Sequence, residues 1–193
     1  MKAEQIKAAF DETRTDKGYT HGYDRLYGEI FASYTPSSLL ELGVMQGRSI
    51  AAWKIIFPSC DITGVDISDK KFSKPIINFA DSKIIIGDCT KPEILDKLDT
   101  YDVIVDDASH FYKDIIRSFI ILKDRFKYAY VIEDAMYHND FVIEMIRRQG
   151  FSNIVVYDSK VSGVPVSKSK VTQKKGHKGQ TVVDLKMIVV YRS

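Results

Sequence analysis

Cysteine is scarce in this sequence, and long apolar runs are missing from it. The two cysteines, Cys60 and Cys89, lie far apart and form no C-x-x-C pair. This spacing excludes a disulfide scaffold and a zinc ribbon, and reduced thiols are typical of cytosolic proteins. No stretch of about eighteen apolar residues occurs, and the first residues lack the apolar segment of a secretory signal. We therefore predict a cytoplasmic protein without a membrane-spanning segment.

A strong excess of charge of either sign is also missing. The formal net charge is +2, and residues 159–183 hold six lysines and no acid, which leaves the rest of the chain at −4. A charge this weak argues against a protein that binds nucleic acid with its whole surface. The lysine-rich segment is predicted to be a loop, and this loop could still contact an anionic partner.

The chain is long enough for one domain with a sizeable core. Its 193 residues are 45% hydrophobic and 28% charged, as in globular proteins. Apolar and aromatic residues recur at intervals of three and four over residues 22–34, which predicts an amphipathic helix. Its aromatic side chains either pack against the core or close over a ligand. We divide the chain into an N-terminal helical cap or lid, residues 1–36, and a core domain, residues 37–193.

Short β-branched runs alternate with helix-like stretches from Ser37 onward. This alternation is typical of a parallel sheet with helices on both faces, so we predict an α/β, doubly wound, Rossmann-like domain. The last two strands have no convincing helix between them and are expected to be antiparallel. The seven predicted strands are 39–42, 62–66, 83–86, 101–106, 129–133, 153–157 and 183–191. The predicted helices of the core are 49–56, 68–79, 91–98, 111–126 and 139–149.

A turn with two glycines follows the first predicted strand. Glu41 is followed by Gly43 and Gly47, directly before a helix. Nucleotide-like ligands bind at this place in doubly wound sheets. The dinucleotide fingerprint G-x-G-x-x-G is absent, and an acid here would repel a pyrophosphate. A cationic cofactor, S-adenosylmethionine, fits better, with Glu41 facing its amino-acid portion.

Acidic residues also end the next predicted strands. Asp66 is placed to accept hydrogen bonds from both ribose hydroxyls, and Asp88 could contact the adenine amino group. Asp106, at the end of the fourth strand, is assigned to the cofactor as well. Each acid alone could equally be a helix cap or a solvated loop residue. Together they resemble the pattern of class I S-adenosylmethionine-dependent methyltransferases.

Two pairs of carboxylates follow the fourth and fifth predicted strands. Asp106 and Asp107 are expected to meet Glu133 and Asp134 at one sheet edge, because neighbouring strands lie about 4.8 Å apart. Such a cluster favours a hard divalent cation, and Mg²⁺ suits the oxygen ligands better than zinc does. Alternatively, some of these acids cap helices and the others are solvated. His110 lies close enough to take a proton from a substrate hydroxyl.

These motifs resemble those of the Mg²⁺-dependent sugar O-methyltransferases of macrolide biosynthesis and the related cephalosporin hydroxylase-like group. That family carries Asp-Asp-Gly-Ser-His after the fourth strand, Val-Ile-Glu-Asp after the fifth, and Thr-Asp-Lys, His, Tyr and Tyr before the sheet. The corresponding positions here are residues 106–110, residues 131–134, residues 15–17, His21, Tyr23 and Tyr27.

The resemblance covers about residues 13–135 and implies a role for each matching residue. It assigns the metal to Asp107, Glu133 and Asp134, and the general base to His110. It places His21 and the nearby tyrosines in a lid over cofactor and acceptor.

The sequence departs from the family pattern at one residue and in one short segment. Ala108 replaces the usual glycine, and we expect this to alter the turn that aims His110. Residues 124–127 replace a Pro-Gly-Gly turn before the fifth strand, which we expect to change the approach to the strand without touching the site.

The implied function is methyl transfer from S-adenosylmethionine to a hydroxyl, such as that of a sugar or diol in a small molecule or glycoconjugate, assisted by Mg²⁺. The alternatives are a nucleic-acid methyltransferase that uses the lysine-rich loop and a non-catalytic cofactor-binding module. Residues 106–109 lack the Pro-Pro motif of amino-methylating DNA enzymes, which makes nucleic acid the weaker candidate. The aromatic N-terminal helix would also suit a homo-oligomer contact.

Overall fold

The protein folds around a single sheet in this computed structural model, which describes residues 1–69, 81–135, 138–158 and 186–192. The apolar runs of the sequence form its strands, and the side chains of the central strands are buried on both faces, as is typical of a parallel sheet covered by helices. The strands are β1 (Ser38–Leu42), β2 (Asp61–Asp66), β3 (Ser82–Ile86), β4 (Tyr101–Asp106), β5 (Phe126–Ile132), β6 (Ile154–Asp158) and β7 (Lys186–Tyr191).

The strand order is β3-β2-β1-β4-β5-β7-β6. Strands β1 to β5 pair in parallel, whereas β7 is antiparallel to both β5 and β6. The predicted seven-stranded, doubly wound sheet with an antiparallel last strand is therefore confirmed. The order reverses between β1 and β4, so the carboxyl ends of these two strands flank a crevice of the kind that binds ligands.

Helices cover both faces of the sheet. They are α1 (Ala3–Thr13), α2 (Asp16–Tyr19), α3 (Asp24–Ile30), α4 (Arg48–Ile56), α5 (Pro92–Leu95), α6 (Tyr112–Leu122) and α7 (Asn139–Arg148). The sequence predicts one helix over residues 22–34. The structure has a shorter helix there, α3, and two further helices, α1 and α2, come before it. Helix α1 gave little signal in the sequence, since only Ile6, Ala9, Phe10 and Thr13 are buried and the other residues are charged, polar or alanine.

The N-terminal helices share the core of the sheet through a cluster of aromatic rings. The ring centroid of Tyr27 lies 4.9 Å from that of Trp53 on α4 and 6.2 Å from that of Phe10 on α1. Tyr27 and Phe31 are fully buried. The packing interpretation of the aromatic stripe in α3 is therefore confirmed for these residues. The proposed division into residues 1–36 and 37–193 stays a prediction.

Other predicted ends of helices and strands differ from the observed ones by a few residues or lie outside the described ranges. Helix α6 ends at Leu122, four residues before the predicted end, because Phe126 already pairs with Tyr101 as the first residue of β5. The predicted helix 68–79 falls mostly outside the described residues, and the predicted lysine-rich loop 159–183 lies wholly outside them. Within the described ranges, no helix has the length and apolar character needed to cross a membrane.

Candidate active site

A cavity of about 510 Å³ lies at the carboxyl ends of β1, β2, β4 and β5. Residues 43–46 of the turn after β1 form one wall, and Asp66 at the end of β2 forms another. The loop after β4 contributes Asp107 and His110, and residues 14–16, where α1 ends and α2 begins, also line the cavity. The cavity therefore occupies the crevice at the reversal of strand order.

The backbone conformation of the turn after β1 requires a glycine at position 43. Its φ is +88°, and a Cβ atom built there would lie 2.2 Å from the carbonyl oxygen of Asp107. A larger residue would push the turn after β1 away from the loop after β4. Gly47 also has a positive φ, 76°, at the start of α4, but it does not line the cavity.

Asp66 holds the glycine turn in place. Its Oδ2 accepts hydrogen bonds from the backbone N–H groups of Val44, at 2.9 Å, and Met45, at 2.7 Å. Its Oδ1 accepts a third from Ser68, at 3.0 Å. The side chain also lines the cavity, so the predicted ribose role, which stays a prediction, coexists with a role in shaping the turn.

Lys17 is the buried centre of the acidic cluster. Its Nζ atom lies 2.6 Å from Oδ2 of Asp107, 2.8 Å from Oε2 of Glu133 and 3.1 Å from Oε1 of Glu41. The side chain is only 1% exposed. Burial lowers the pKa of Lys17, but the three carboxylates outweigh this and raise the pKa well above its ordinary value. Lys17 is therefore charged and links α2 to the ends of β1, β4 and β5.

Glu41 points into the core and does not line the cavity. Its carboxylate is fully buried, and its Oε2 accepts a hydrogen bond of 3.1 Å from Nε1 of Trp53. Its other oxygen faces Lys17. The structure thus places Glu41 behind the site, where it anchors Lys17, and its predicted contact with the cofactor stays a prediction.

Two tyrosines from the N-terminal helices reach the same cluster. Tyr27 donates a hydrogen bond to Oε1 of Glu133, and Tyr23 donates one to Oδ1 of Asp134. The His21 ring stacks on Tyr23 with ring centroids 5.2 Å apart, and its Nδ1 lies 3.6 Å from Asp134. These are the residues that the resemblance places in a lid. Here the tyrosines are buried and fix the acids.

Asp107, His110 and Asp134 form the part of the cluster that faces the cavity. One potential ligand atom from each lies within 4.8 Å of the others, which is a spacing that one metal ion can bridge. Burial raises the pKa of Asp107, Lys17 opposes the rise, and the negative charge of Asp134 adds to it. A cation between the two aspartates would relieve that repulsion.

Glu133 lies deeper than the other two acids assigned to the metal. It is 1% exposed and does not line the cavity. Its two oxygens accept hydrogen bonds from Lys17 and Tyr27. Its role as a metal ligand stays a prediction, and its observed contacts position Lys17.

Asp88 and Asp106 lie outside the cavity lining. The Oδ1 atom of Asp88 accepts hydrogen bonds from the N–H and hydroxyl of Thr90, which lower its pKa. Burial raises the pKa of Asp106 to about 6, although hydrogen bonds from Ser118, at 2.6 Å, and Tyr130, at 3.0 Å, oppose the rise. The structure does not bring these two acids to the cavity, and their cofactor roles stay predictions.

The cavity concentrates unusual backbone conformations. Among the described residues, five that are not glycine have a left-handed φ, and four of them line the cavity. These four are Arg14, Met45, His110 and Asp134. Such strain persists where packing enforces it, and it clusters at functional sites. Ala108 is not in the left-handed region, so the turn that aims His110 does not need the family's glycine.

Unpaired nitrogen atoms also collect here. The Nδ1 atoms of His21 and His110 and the Nε atom of Arg48 are buried without a hydrogen-bond partner. All three side chains line the cavity. Buried polar atoms are rarely left unpaired, so these atoms are suited to a polar ligand.

Sequence reasoning named Lys17 only as part of a motif and did not assign it a role. Its acidic partners lie 90 and 116 residues away along the chain in the cases of Asp107 and Glu133. The available signal was charge: four acids converge at one sheet edge, and one buried cation would be expected to pair with them.

No protein-family model matches the chain. The chain is 30% identical over 132 residues to the mycinamicin VI 2''-O-methyltransferase of Micromonospora griseorubida, a match that covers 61% of this chain and 32% of that enzyme. It is 27% identical over 136 residues to the 8-demethyl-8-alpha-L-rhamnosyl tetracenomycin-C 2'-O-methyltransferase of Streptomyces olivaceus, covering 62% and 35%. The chain therefore spans about a third of the length of these relatives.

The chain is also similar to solved structures of methyltransferases. The MycE methyltransferase of the mycinamycin biosynthetic pathway, in complex with Mg and SAH, is 28% identical with a TM-score of 0.61, covering 71% of this chain and 38% of that one. In another crystal form it aligns with 97% of this chain and 54% of its own, at 22% identity and a TM-score of 0.67. The chain has the class I methyltransferase fold. Within that methyltransferase fold, the cavity described above lies where the glycine turn and the acidic cluster meet.

Proposed function

We propose that this chain is an S-adenosylmethionine-dependent O-methyltransferase that acts on a sugar hydroxyl of a glycoside. The observation that carries the proposal is the pairing of two features in one cavity. The glycine turn held by Asp66 adjoins the group of Asp107, His110 and Asp134. The glycine turn suits the binding of a nucleoside cofactor. The group of three side chains offers ligands for a metal and a base that can accept a proton.

The residues of the cavity fit a magnesium ion. Two carboxylates, Asp107 and Asp134, lie close together in it, and their mutual repulsion favours a bound cation. Mg²⁺ commonly uses one or two carboxylates and keeps several waters. Magnesium would lower the pKa of an acceptor hydroxyl beside it. Lys17 and Tyr23 would hold the two aspartates in position to receive the ion.

His110 would accept the proton of the acceptor hydroxyl. Its Nδ1 lies 3.9 Å from Oδ1 of Asp107, so the imidazole adjoins the proposed metal site without being bonded to the acid. Mg²⁺ prefers oxygen ligands, which leaves the imidazole free to act as a base. S-adenosylmethionine would supply the methyl group. Residues 43–46 line the cavity, so a cofactor bound along this turn would lie beside the proposed metal site, and holding it in the right orientation would provide much of the rate.

The relatives support the class of acceptor. Their names describe methyl transfer to the 2'' position of mycinamicin VI and to the 2' position of a rhamnosyl tetracenomycin. A sugar offers a hydroxyl with a neighbouring oxygen, and two such oxygens could both approach one cation.

The test is a methylation assay on rhamnosides with S-adenosylmethionine, in Mg²⁺ and in chelator. We expect a product heavier by one methylene group in Mg²⁺, and at least a hundredfold lower rate in chelator or with Asp107→Asn. Asp124→Asn is the matched control, because Asp124 is 70% exposed and remote from the cavity. Equal rates with and without chelator would contradict the metal-assisted reaction.

A further inference from the structure

The candidate active site contains a cation as well as acids. Arg48 lines the cavity together with Asp66, Asp107 and Asp134. It is the first residue of α4 and follows Gly47 in the turn after β1. The acids suit a cationic group of a ligand, and the guanidinium suits an anionic one. The cavity is therefore suited to a ligand that carries both charges.

The guanidinium of Arg48 has hydrogen-bond donors to spare. Its Nη1 donates a hydrogen bond of 2.9 Å to the backbone carbonyl oxygen of Arg14, whereas its Nε is buried without a partner. Within the part of the chain that the structure describes, Arg48 forms no ion pair with an acid. The N–H groups of Nε and Nη2 point the same way in any guanidinium and can together bind both oxygens of one carboxylate.

The guanidinium is held between two elements of the fold. Arg14, whose carbonyl accepts the hydrogen bond, ends α1 with a left-handed φ of 55°. Gly47 begins α4 with a φ of 76°. Arg48 therefore links the start of α4 to the N-terminal helices. A ligand that binds this side chain meets a group that is already ordered, which lowers the entropic cost of binding.

The start of α4 adds to the preference for an anion. The helix is nine residues long and has no acid in its first turn, and its N-cap, Gly47, has no side chain that could accept a hydrogen bond. The helix itself therefore places no carboxylate at the positive end of its dipole, where anions are stabilised. Ser49, the second residue of α4, also lines the cavity.

The acids of the cavity select among anions. A phosphate or pyrophosphate carries more than one negative charge and would be repelled by Asp66, Asp107 and Asp134. An amino acid carries a single carboxylate beside an ammonium group, and S-adenosylmethionine ends in such an amino acid. Sequence reasoning assigned this end of the cofactor to Glu41, but that side chain is fully buried behind the site.

We propose that Arg48 binds the carboxylate of the amino-acid portion of S-adenosylmethionine. This inference rests on the proposed function, because it takes that cofactor as the ligand. It adds a binding residue outside the group of Asp107, His110 and Asp134, and Arg48 takes no part in the proton transfer. An acidic sugar acceptor would be the other source of a carboxylate, and the experiment distinguishes the two.

The experiment compares S-adenosylhomocysteine with its decarboxylated analogue, which keeps the ammonium group and lacks only the carboxylate. Dissociation constants are measured by calorimetry on the full chain. We expect wild type to bind S-adenosylhomocysteine at least about tenfold more tightly than the analogue, as for a hydrogen bond to a charged group. Arg48→Gln should weaken S-adenosylhomocysteine by a similar factor and leave the affinity for the analogue within about twofold of wild type.

Two further variants accompany Arg48→Gln. Arg48→Lys keeps the positive charge and loses the paired N–H donors, so it should keep the affinity for the analogue and lose part of the preference. Arg192→Gln is the matched control. Nη1 of Arg192 also donates a hydrogen bond of 2.9 Å to a backbone carbonyl oxygen, that of Lys123, but Arg192 does not line the cavity. Its affinity for both ligands should equal that of wild type.

Three results would overturn the inference. The first is a wild-type protein that binds both ligands equally, and the second is an equal loss of both ligands in both Arg48 variants. The third comes from methyl glucuronide and methyl glucoside, titrated onto the protein loaded with S-adenosylhomocysteine. A glucuronide preference that Arg48→Gln removes, with the affinity for S-adenosylhomocysteine unchanged, would assign the carboxylate to the acceptor.

Methyl transfer to rhamnosides is recorded separately, so that this inference and the proposed function can fail independently. A carboxylate preference that depends on Arg48, in a protein that methylates no rhamnoside, would support the role of Arg48 and count against the proposed function. Methylation by a protein that does not distinguish the two ligands would do the reverse.

Discussion

His110→Asn is expected to lower kcat for methyl transfer by about 10²-fold to 10⁴-fold, the usual contribution of a general base. The physical reason is that an amide cannot take the proton of the acceptor hydroxyl. Asparagine tolerates the left-handed backbone of His110, whose φ is 57°, so the turn should keep its shape. Binding of S-adenosylhomocysteine, measured by calorimetry, should stay within about twofold of wild type.

His138→Asn is the matched control for this prediction. His138 has nearly the same backbone conformation, with a φ of 58°, but it does not line the cavity. Its kcat should remain close to that of wild type. If His110→Asn retains more than a tenth of wild-type kcat, or if both histidine variants lose activity equally, His110 is not the base.

Lys17→Met is expected to reduce the free energy of unfolding by about 3–5 kcal/mol, the usual cost of removing one partner of a buried ion pair. Asp107, Glu133 and Glu41 would lose their common cation, and two of these carboxylates are almost completely buried. Urea denaturation measures the change. The double variant Lys17→Met with Glu133→Gln should recover part of the loss, since it removes one of the unpaired charges.

Lys7→Met provides the control for a lysine in the same N-terminal region. Lys7 pairs with Asp11 at 2.5 Å, but the two side chains are 57% and 51% exposed. An exposed pair spaced by four residues contributes about 0.3–0.5 kcal/mol. A loss from Lys17→Met as small as that from Lys7→Met would show that the buried cluster does not depend on its lysine.

The sheet could be predicted from the sequence because its signal is local. Most strands are short runs rich in apolar residues, and the glycine turn and the paired acids come at strand ends. Asp107 and Asp134 could be placed at one edge for the same reason, since the carboxyl ends of neighbouring parallel strands meet there. The structure brings both of them, with His110, to one cavity wall.

The inner half of the site could not be predicted, because it depends on contacts between distant segments. Helix α1 carries few apolar residues, and its burial follows from packing against α3 and α4. Glu41 precedes the glycine turn, as expected, but its side chain turns inward to Trp53 and Lys17. A pattern of residue types gives the strand end at which an acid lies, and packing decides which way its carboxylate faces.

The effect of a departure from the family pattern can be judged only with the fold in hand. Ala108 was expected to disturb the turn before His110, yet the left-handed residue of that turn is His110 itself. The glycine that the turn does require is Gly43 on the neighbouring loop, whose missing Cβ leaves room for the carbonyl of Asp107. The loop after β4 therefore limits which residue can stand at position 43, in the turn after β1.

We expect one cavity to bind a nucleoside cofactor and a divalent cation side by side. Calorimetric titration of S-adenosylhomocysteine and of Mg²⁺, on wild type and on Asp107→Asn, tests it most directly. We expect both proteins to bind S-adenosylhomocysteine, and we expect a separate Mg²⁺ heat in wild type that is lost in Asp107→Asn. Absence of S-adenosylhomocysteine binding by wild type, or a Mg²⁺ heat unchanged in Asp107→Asn, would contradict the claim.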